Sequence, residues 1–294
     1  ALIMKRTVLA VAALLVIPAA HASQPSVHEC DEVAAHPYDP ARAADGVAFA
    51  AIDGRRAILT CGIAYDARPF VQRFQYQYGR ALMAGARVAE ALTFIRMAAN
   101  SGYAAAQASL ADLLLEGKLI SADKAKAVDL FRRAAAQGHA VAQLRLASFH
   151  LQGDGIVKDA RKAEALALRA ARQGLPAAQT VLGVIIDSAG NKLGRSGEAV
   201  AWYRKAADQG YAPAQSLLGS AYLKGRGIAY DAKKAGRWLR RAALRGDATA
   251  QLSLSKLYAT GTGVQRDLLK ADMWLQRAEA QSRKSSDNAP SSRF

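Results

Sequence analysis

The sequence predicts an all-α chain, an α-solenoid of about six two-helix repeats behind a disulfide-tied N-terminal cap. Three observations predict it. Glycines recur at Gly102, Gly138, Gly174, Gly210 and Gly246, a constant 36 apart, and two further columns keep the same step: Gln107, Gln143, Gln179, Gln215, Gln251, and Leu110, Leu146, Leu182, Leu218, Leu254. A fixed period of this length is the mark of stacked supersecondary units, and it overrides the two-domain expectation that 294 residues would otherwise set. Composition agrees: 51% of residues are hydrophobic, much of that alanine, and only 7% are aromatic. Such a chain suits thin, closely packed helices rather than a thick sheet core.

At the N-terminus, Met4-Lys5-Arg6 forms a short positive region, and Ala1 to Ile3 precede the start that this pattern implies. Val8 to Ile17 is apolar, Pro18 breaks the run, and Ala20-His21-Ala22 is a small-x-small site. Together these predict a signal peptide over 1–22, removed after Ala22. An uncleaved anchor is the alternative, but the apolar run of about ten residues is short for a bilayer that takes about 20. The expectation is therefore a periplasmic or secreted protein that does not span the membrane once cleaved.

Residues 23–68 read as the cap. Cys30 and Cys61 are the only cysteines. An even count in an exported chain favours one disulfide over two free thiols. A metal pair lacks further ligands, since His28 and His36 stand alone with no ligand spacing. Closing a loop of about 30 residues contributes about 3 kcal/mol on the chain-entropy estimate.

Residues 69–282 divide into units 69–102, 103–138, 139–174, 175–210, 211–246 and 247–282. The first helix of each has its apolar residues at helical spacing, as Ala214, Leu217, Leu218, Ala221 and Tyr222 do in unit five. A small residue at 111, 147, 183, 219 and 255 lets a neighbouring helix come close. The turn that follows, such as Gly153-Asp154-Gly155, permits positive φ. The second helix opens on Asp123, Asp159, Asp231 or Asp267, each placed to cap free N–H groups. It carries an alanine column from Ala127 to Ala271 and a large apolar column: Phe94, Leu130, Leu166, Trp202, Trp238, Trp274. Unit four has Arg195 where Asp is expected, and Ser196 is the substitute cap. Residues 283–294, with Ser, Asn and Pro, read as a disordered tail.

The string Ala-x-Ala-Gln-x-x-Leu-Gly-x-x-Tyr-x-x-Gly-x-Gly, then Asp-x-x-Lys-Ala-x-x-Trp-x-x-x-Ala-Ala-x-x-Gly, is most complete over 212–246. It resembles the Sel-one-like repeat (SLR) family, relatives of the TPR, over roughly 69–282. The resemblance implies antiparallel helix pairs stacked into a right-handed superhelix with a concave groove, and adaptor work, often in bacterial signalling or envelope assembly. The segment 28–66, through Cys30-Asp31, Ala34-Ala35-His36-Pro37, Asp39-Pro40, Gly46-Val47, Ile52 and Ala57 to Cys61, resembles the extension that precedes such repeats in exported bacterial proteins.

Catalytic motifs are missing: no His-Glu-x-x-His, Gly-x-Ser-x-Gly, phosphate loop or Cys-x-x-Cys occurs. Ser-x-x-Lys occurs at Ser121–Lys124 and Ser253–Lys256, without the companion motifs that acyl transfer requires. Trp202, Trp238 and Trp274 sit in a core column, so packing is favoured over stacking on sugars or bases. His139 and His150 lack partners at ligand spacing. No catalytic residue, cofactor or metal is assigned, and the chain is expected not to be an enzyme.

Two surfaces remain. Arg133, Arg169, Lys205, Arg241 and Arg277 share one position, with Arg132, Arg204 and Arg240 beside them. Stacking spaces them about 10 Å apart, as a ladder for an extended anion or as a solvated outer face. The formal charge of +16 points to anionic partners, and export excludes nucleic acid. By analogy the groove is the better candidate. Its variable columns are Ala108, Leu144, Thr180, Ser216, Leu252; Leu115, Leu151, Asp187, Leu223, Ala259; and Asp112, Ser148, Val184, Ser220, Lys256. From these, Leu144, Leu151, Val184, Ser220, Leu223, Leu252 and Lys256 are the partner-binding candidates, against a role in packing between units. The functional expectation is a periplasmic adaptor that holds another envelope protein in its groove and so regulates envelope signalling or assembly. The alternative is a peptidoglycan or acidic-polysaccharide binder, or a weak hydrolase of the cell envelope.

Overall fold

A computed structural model describes residues 28–39, 46–190 and 194–287, and every regular element among them is helical. The expected signal peptide, 1–22, lies outside the described residues. The cap comprises α1 (Glu29–Ala34), a short 3-10 turn at Phe49–Ala51 and α2 (Gly54–Ala67). Six pairs follow: α3 (Gln72–Ala84) with α4 (Val88–Asn100), α5 (Ala104–Glu116) with α6 (Lys124–Ala136), and α7 (Ala140–Gln152) with α8 (Ala160–Arg172). Then come α9 (Pro176–Gly190) with α10 (Ser196–Asp208), α11 (Ala212–Lys224) with α12 (Ala232–Leu244), and α13 (Ala248–Thr260) with α14 (Leu268–Asp287). Each helix from α2 onward packs on the one before it. The chain is thus a solenoid of paired helices. Its last helix reaches Asp287, beyond the expected tail boundary at 282, and 288–294 lie outside the described residues.

The sequence columns become physical contacts. Each repeat glutamine donates from Nε2 to the carbonyl eight residues earlier, as Gln143 does to Ala135 at 3.2 Å and Gln215 to Ala207 at 3.0 Å. Its Oε1 accepts from a glutamine at the end of the same unit's second helix: Gln137 on Gln107, Gln173 on Gln143, Gln209 on Gln179, at 2.8–2.9 Å. Gln137 and Gln173 also reach the carbonyls of Gly102 and Gly138, the last residues of the preceding units, tying the end of each unit to the turn that leads into it. In unit five Arg245 takes the donor's place, and the Gln215 Oε1 is left buried without a partner. Such a buried orphan typically costs about 1–3 kcal/mol.

The small column behaves as its residue sizes require. A Cβ on Gly183 would lie 2.5 Å from the Tyr203 ring, and one on Gly219 would lie 2.7 Å from Leu239. Asp123, Asp159, Asp231 and Asp267 cap α6, α8, α12 and α14, each accepting from the backbone N–H three residues on at 2.8–3.0 Å. Unit four corrects the expectation of a Ser196 cap. Ser196 is the first residue of α10, and the helix has no side-chain cap. Arg195 instead binds Glu198 and Glu164, both at 2.9 Å.

Curvature follows from which helices meet across units. First helices touch first helices, α7 with α9 and α9 with α11, while consecutive second helices stay further apart. The first-helix side is therefore the inner, concave side, and the second helices form the outer one.

The cap closes the N-terminal end. Cys30 and Cys61 form the expected disulfide, with an S–S distance of 2.09 Å and Cα atoms 4.7 Å apart. It is fully buried among Ala34, Ala57, Ala64, Phe74 and Ala81, against the α3 face that has no preceding unit to cover it. Buried Asp31 lies 3.3 Å from Arg73 and accepts from Gln77 at 2.9 Å.

Candidate partner-binding groove

The concave face begins with an occupant. After α1 the chain runs along the first-helix face of the early units instead of turning back to the cap. Arg80 on α3 holds it by donating to the carbonyls of Ala34 at 2.7 Å and Val47 at 2.8 Å. Within the segment, Val47 N–H returns to the Ala35 carbonyl at 2.8 Å. Farther along, the Tyr103 hydroxyl donates to the buried carboxylate of Asp39. The His36 ring lies 5.2 Å from that of His139 and 6.4 Å from that of Tyr76. Tyr38 packs against the core around unit three. One short stretch of backbone thus touches three units.

Burial sets the charge states here. His36 is pushed down to about 3 by desolvation, then by His139 and Arg80, and His139 is pushed down to about 4 by desolvation. Both rings are neutral at physiological pH. The Tyr103 phenol is raised well above its usual range by burial and by Asp39, and burial raises Tyr76 too. Arg80 is lowered by burial.

Between this segment and α3, α4 and α5 lies a cavity of about 570 Å³. Its walls are mostly apolar, with Tyr38, Phe49, Met83, Leu113, Leu119 and Val141 among them. Asp112 and Glu116 line it on the α5 side. Asp112 pairs with Arg145 of the next unit at 3.0 Å, and its carboxyl is still raised by desolvation. Further along, Asp187 and Arg226 pair at 3.0 Å, and Arg226 also donates to the Asp187 carbonyl. They flank a small cleft of about 90 Å³ with Ser220, Leu217 and Lys224. A third hollow, of about 340 Å³, is lined by Arg145, Ser148, Gln152 and Lys124. The inner face is thus a row of shallow hollows separated by ion pairs, with carboxylates near unit two and lysines near units five and six.

The repeat pattern matches that of the Sel1 repeat family over 104–139, 140–175, 196–211, 212–247 and 248–282. The chain belongs to the Sel1 repeat family. Sel1 repeat proteins are interaction scaffolds and typically not enzymes. A Sel1 repeat protein of Oxalobacter formigenes superposes with a TM-score of 0.66 at 28% identity, over 75% of this chain and 96% of its own. One from Klebsiella pneumoniae gives 0.45 at 24%, over 66% and 94%. The immunity protein Pa5087 of Pseudomonas aeruginosa gives 0.45 at 21%, over 65% and 73%. No curated protein matches the chain.

Within this Sel1 solenoid the predicted partner residues scatter. Val184, Lys256 and Leu252 are exposed, and Ser220 lines the small cleft. Leu144, Leu151 and Leu223 are half-buried in the inter-unit core. Leu252 faces Leu275 and Ala278 at the C-terminal end, away from the groove hollows. The column of Leu144 is largely a packing column, since Ala108, Thr180 and Ser216 are buried. The column of Val184 does reach the groove, because Arg80 and Asp112 occupy it in units one and two and line the large cavity. Sequence reasoning missed His36, Arg80 and Tyr103. One signal existed: Arg80 shares the variable column of Asp112, Ser148, Val184, Ser220 and Lys256, which the sequence already assigns to the groove.

On the outer side, the five basic-ladder residues are all exposed, but they are unequal. Arg133 is paired with Asp129 at 2.8 Å. Lys205, Arg241 and Arg277 lie over the rings of Trp202, Trp238 and Trp274, at 4.2, 4.7 and 4.8 Å from the centroids.

Proposed function

We propose that the protein is an exported scaffold that holds a segment of another envelope protein along its first-helix groove. The observation that carries this reading is the groove's resident segment. Ala34 to Asp39 and Val47 lie in the groove through two main-chain carbonyls held by Arg80 and through the Asp39–Tyr103 bond. A face that receives non-helical backbone in this way has the chemistry to receive more of it, and the 570 Å³ cavity beside the segment offers apolar room for a side chain. Ion pairs such as Asp112–Arg145 and Asp187–Arg226 give the open part polar rungs against which a partner's main chain can register. The buried groups found here, neutral histidines and a clamped arginine, are positioned for holding a segment.

Photo-crosslinkers placed at Leu113, Ser148 and Val184 test this in intact cells, with one at Arg169 on the outer face as the control. A discrete partner captured from the three inner positions and not from Arg169 is the expected result. Capture from all positions alike, or from none, sinks the groove reading.

A further inference from the structure

Among the described residues the largest positive excess on one helix lies on α12. Lys233, Arg237, Arg240, Arg241 and Arg245 line the outer side of α12 and its C-terminal end, and all are exposed. The helix itself contains no acidic residue. Among the described residues none of these five forms an ion pair, whereas Lys234 is matched by Asp231 at 3.1 Å. Other units do not repeat the arrangement. The position of Arg237 is Asp129, Ala165, Ala201 and Met273 elsewhere, and that of Arg245 is glutamine in its neighbours. The concentration therefore belongs to unit five and is not a general solubilising pattern.

Apolar side chains adjoin these cations. Leu244 ends α12 and is 65% exposed. In the next unit, Leu269 and Met273 hold the register positions of Lys233 and Arg237, and they are 86% and 37% exposed. Leu268 is 60% exposed beside them. The two outer helices are close enough for Arg240 to act electrostatically on Lys270. The surface so formed is a cation strip bordered by bare aliphatic side chains. Exposed leucine is costly in water and favourable in the interfacial layer of a bilayer, where Lys and Arg meet anionic headgroups.

The tryptophans choose between a lipid surface and an acidic glycan. A sugar needs a bare ring face to stack on. Trp202 and Trp238 are half-buried and Trp274 is buried, and each has a cation over its ring. What remains accessible is charge and aliphatic carbon, which matches lipid.

We infer that the outer face of units five and six, Lys233, Arg237, Arg240 and Arg241 with Leu244, Leu269 and Met273, docks this scaffold on the surface of a bilayer rich in anionic lipid. No helix among the described residues is long and apolar enough to cross a membrane, and this face would meet the bilayer only at its surface. The groove, on the opposite side, stays open to a partner.

The test is cosedimentation of the full chain with vesicles of equimolar phosphatidylglycerol and phosphatidylcholine, against phosphatidylcholine alone. Binding to the anionic vesicles only, weakening with salt, is expected. Each cation contributes roughly fivefold to partitioning, so Arg237→Glu with Arg241→Glu lowers it by more than about tenfold. Leu269→Ser with Met273→Ser lowers it severalfold at unchanged charge. Arg132→Glu with Arg133→Glu, an equal charge change on the same side of unit two, leaves it intact. All three tryptophans lie in the column beside this face. Brominated phosphatidylglycerol should therefore quench the intrinsic fluorescence of the unaltered protein, a readout independent of any variant. Absence of binding to anionic vesicles overturns the inference. So does equal loss from the Arg132/Arg133 variant, which would mean net charge alone. Vesicle binding indifferent to the Leu269/Met273 variant, with equally tight binding to dextran sulfate, would assign the face to polyanions instead.

Discussion

The two ends of the solenoid solve one problem by opposite means. A stack of units leaves an uncovered apolar face at each end. At the N-terminal end the chain covers it with added structure: α1 and α2, a buried disulfide and a buried ion pair seal the outer side of α3. At the C-terminal end no further element follows α14 among the described residues, and the last unit is altered in place. The positions that pack each second helix onto the following unit hold Val200, Tyr203 and Ala207 in α10, and Gly236, Leu239 and Ala243 in α12, all buried. In α14 the same positions hold Asp272, Leu275 and Glu279. Two carboxylates replace small or apolar residues where a seventh unit would dock. The N-terminal solution brings long-range bonds and titratable groups into the fold, while the C-terminal one brings only solvation. The ends should therefore fail under different stresses.

The largest difference is expected from Asp31→Ala. It leaves Arg73 buried without its carboxylate and removes the acceptor of Gln77. Breaking one side of a buried pair typically costs about 3–5 kcal/mol. Hydrogen exchange should accelerate in α2 and α3 and stay slow in α11 to α13. Uniform acceleration along the chain would mean that the cap and the far units unfold as one body.

Removing the disulfide comes next. Cys30→Ser with Cys61→Ser should cost about 3 kcal/mol, or less if the unlinked cap retains its packing, read as a lower denaturation midpoint. A reductant should reproduce the loss in the unaltered protein and do nothing further to the double variant.

Acid provides a third contrast. His36 and His139 have folded pKa values of about 3 and about 4, below the ordinary 6.5. Between these limits the unfolded chain binds the protons, so stability falls as pH falls through 6.5 toward 4. Two neutral histidines should together remove roughly 2–3 kcal/mol between pH 7.5 and 5.5. No histidine follows His150, so exchange in α11 to α13 should barely respond over that range. His139→Gln should flatten the profile at the groove segment by about half.

The legibility of the chain divides along the same line. The units could be read because each contact recurs at one step: a buried glutamine bonding eight residues back, a small residue under a large one, an aspartate cap. Five copies of one physical demand leave five aligned residues. The cap's path into the groove leaves no such trace. Its bonds, Arg80 to Val47 and Tyr103 to Asp39, join positions 33 and 64 residues apart and occur once. One of the three variable columns was only partly legible, for a related reason. Variation among Ala108, Leu144, Thr180, Ser216 and Leu252 looks like a binding surface, yet it reflects local repacking between units, since three of the five are buried.

The smallest effect on stability, and the most informative about the C-terminal end, is expected from Asp272→Val with Glu279→Ala. Both side chains are exposed, and their recorded partners, Gln276 for Asp272 and Arg283 for Glu279, lie on the same helix. Melting should shift by no more than the equivalent of about 0.5 kcal/mol. The exposed face, however, becomes that of an interior unit, joined to Leu275. Docking of α14 onto another chain then becomes favourable, because apolar area is removed from water without burying a charge. Sedimentation should show concentration-dependent association in the double variant and a monomer under the same conditions when the carboxylates are present. If the variant stays monomeric, Asp272 and Glu279 are ordinary surface residues, and the C-terminal end is closed by something other than their charge.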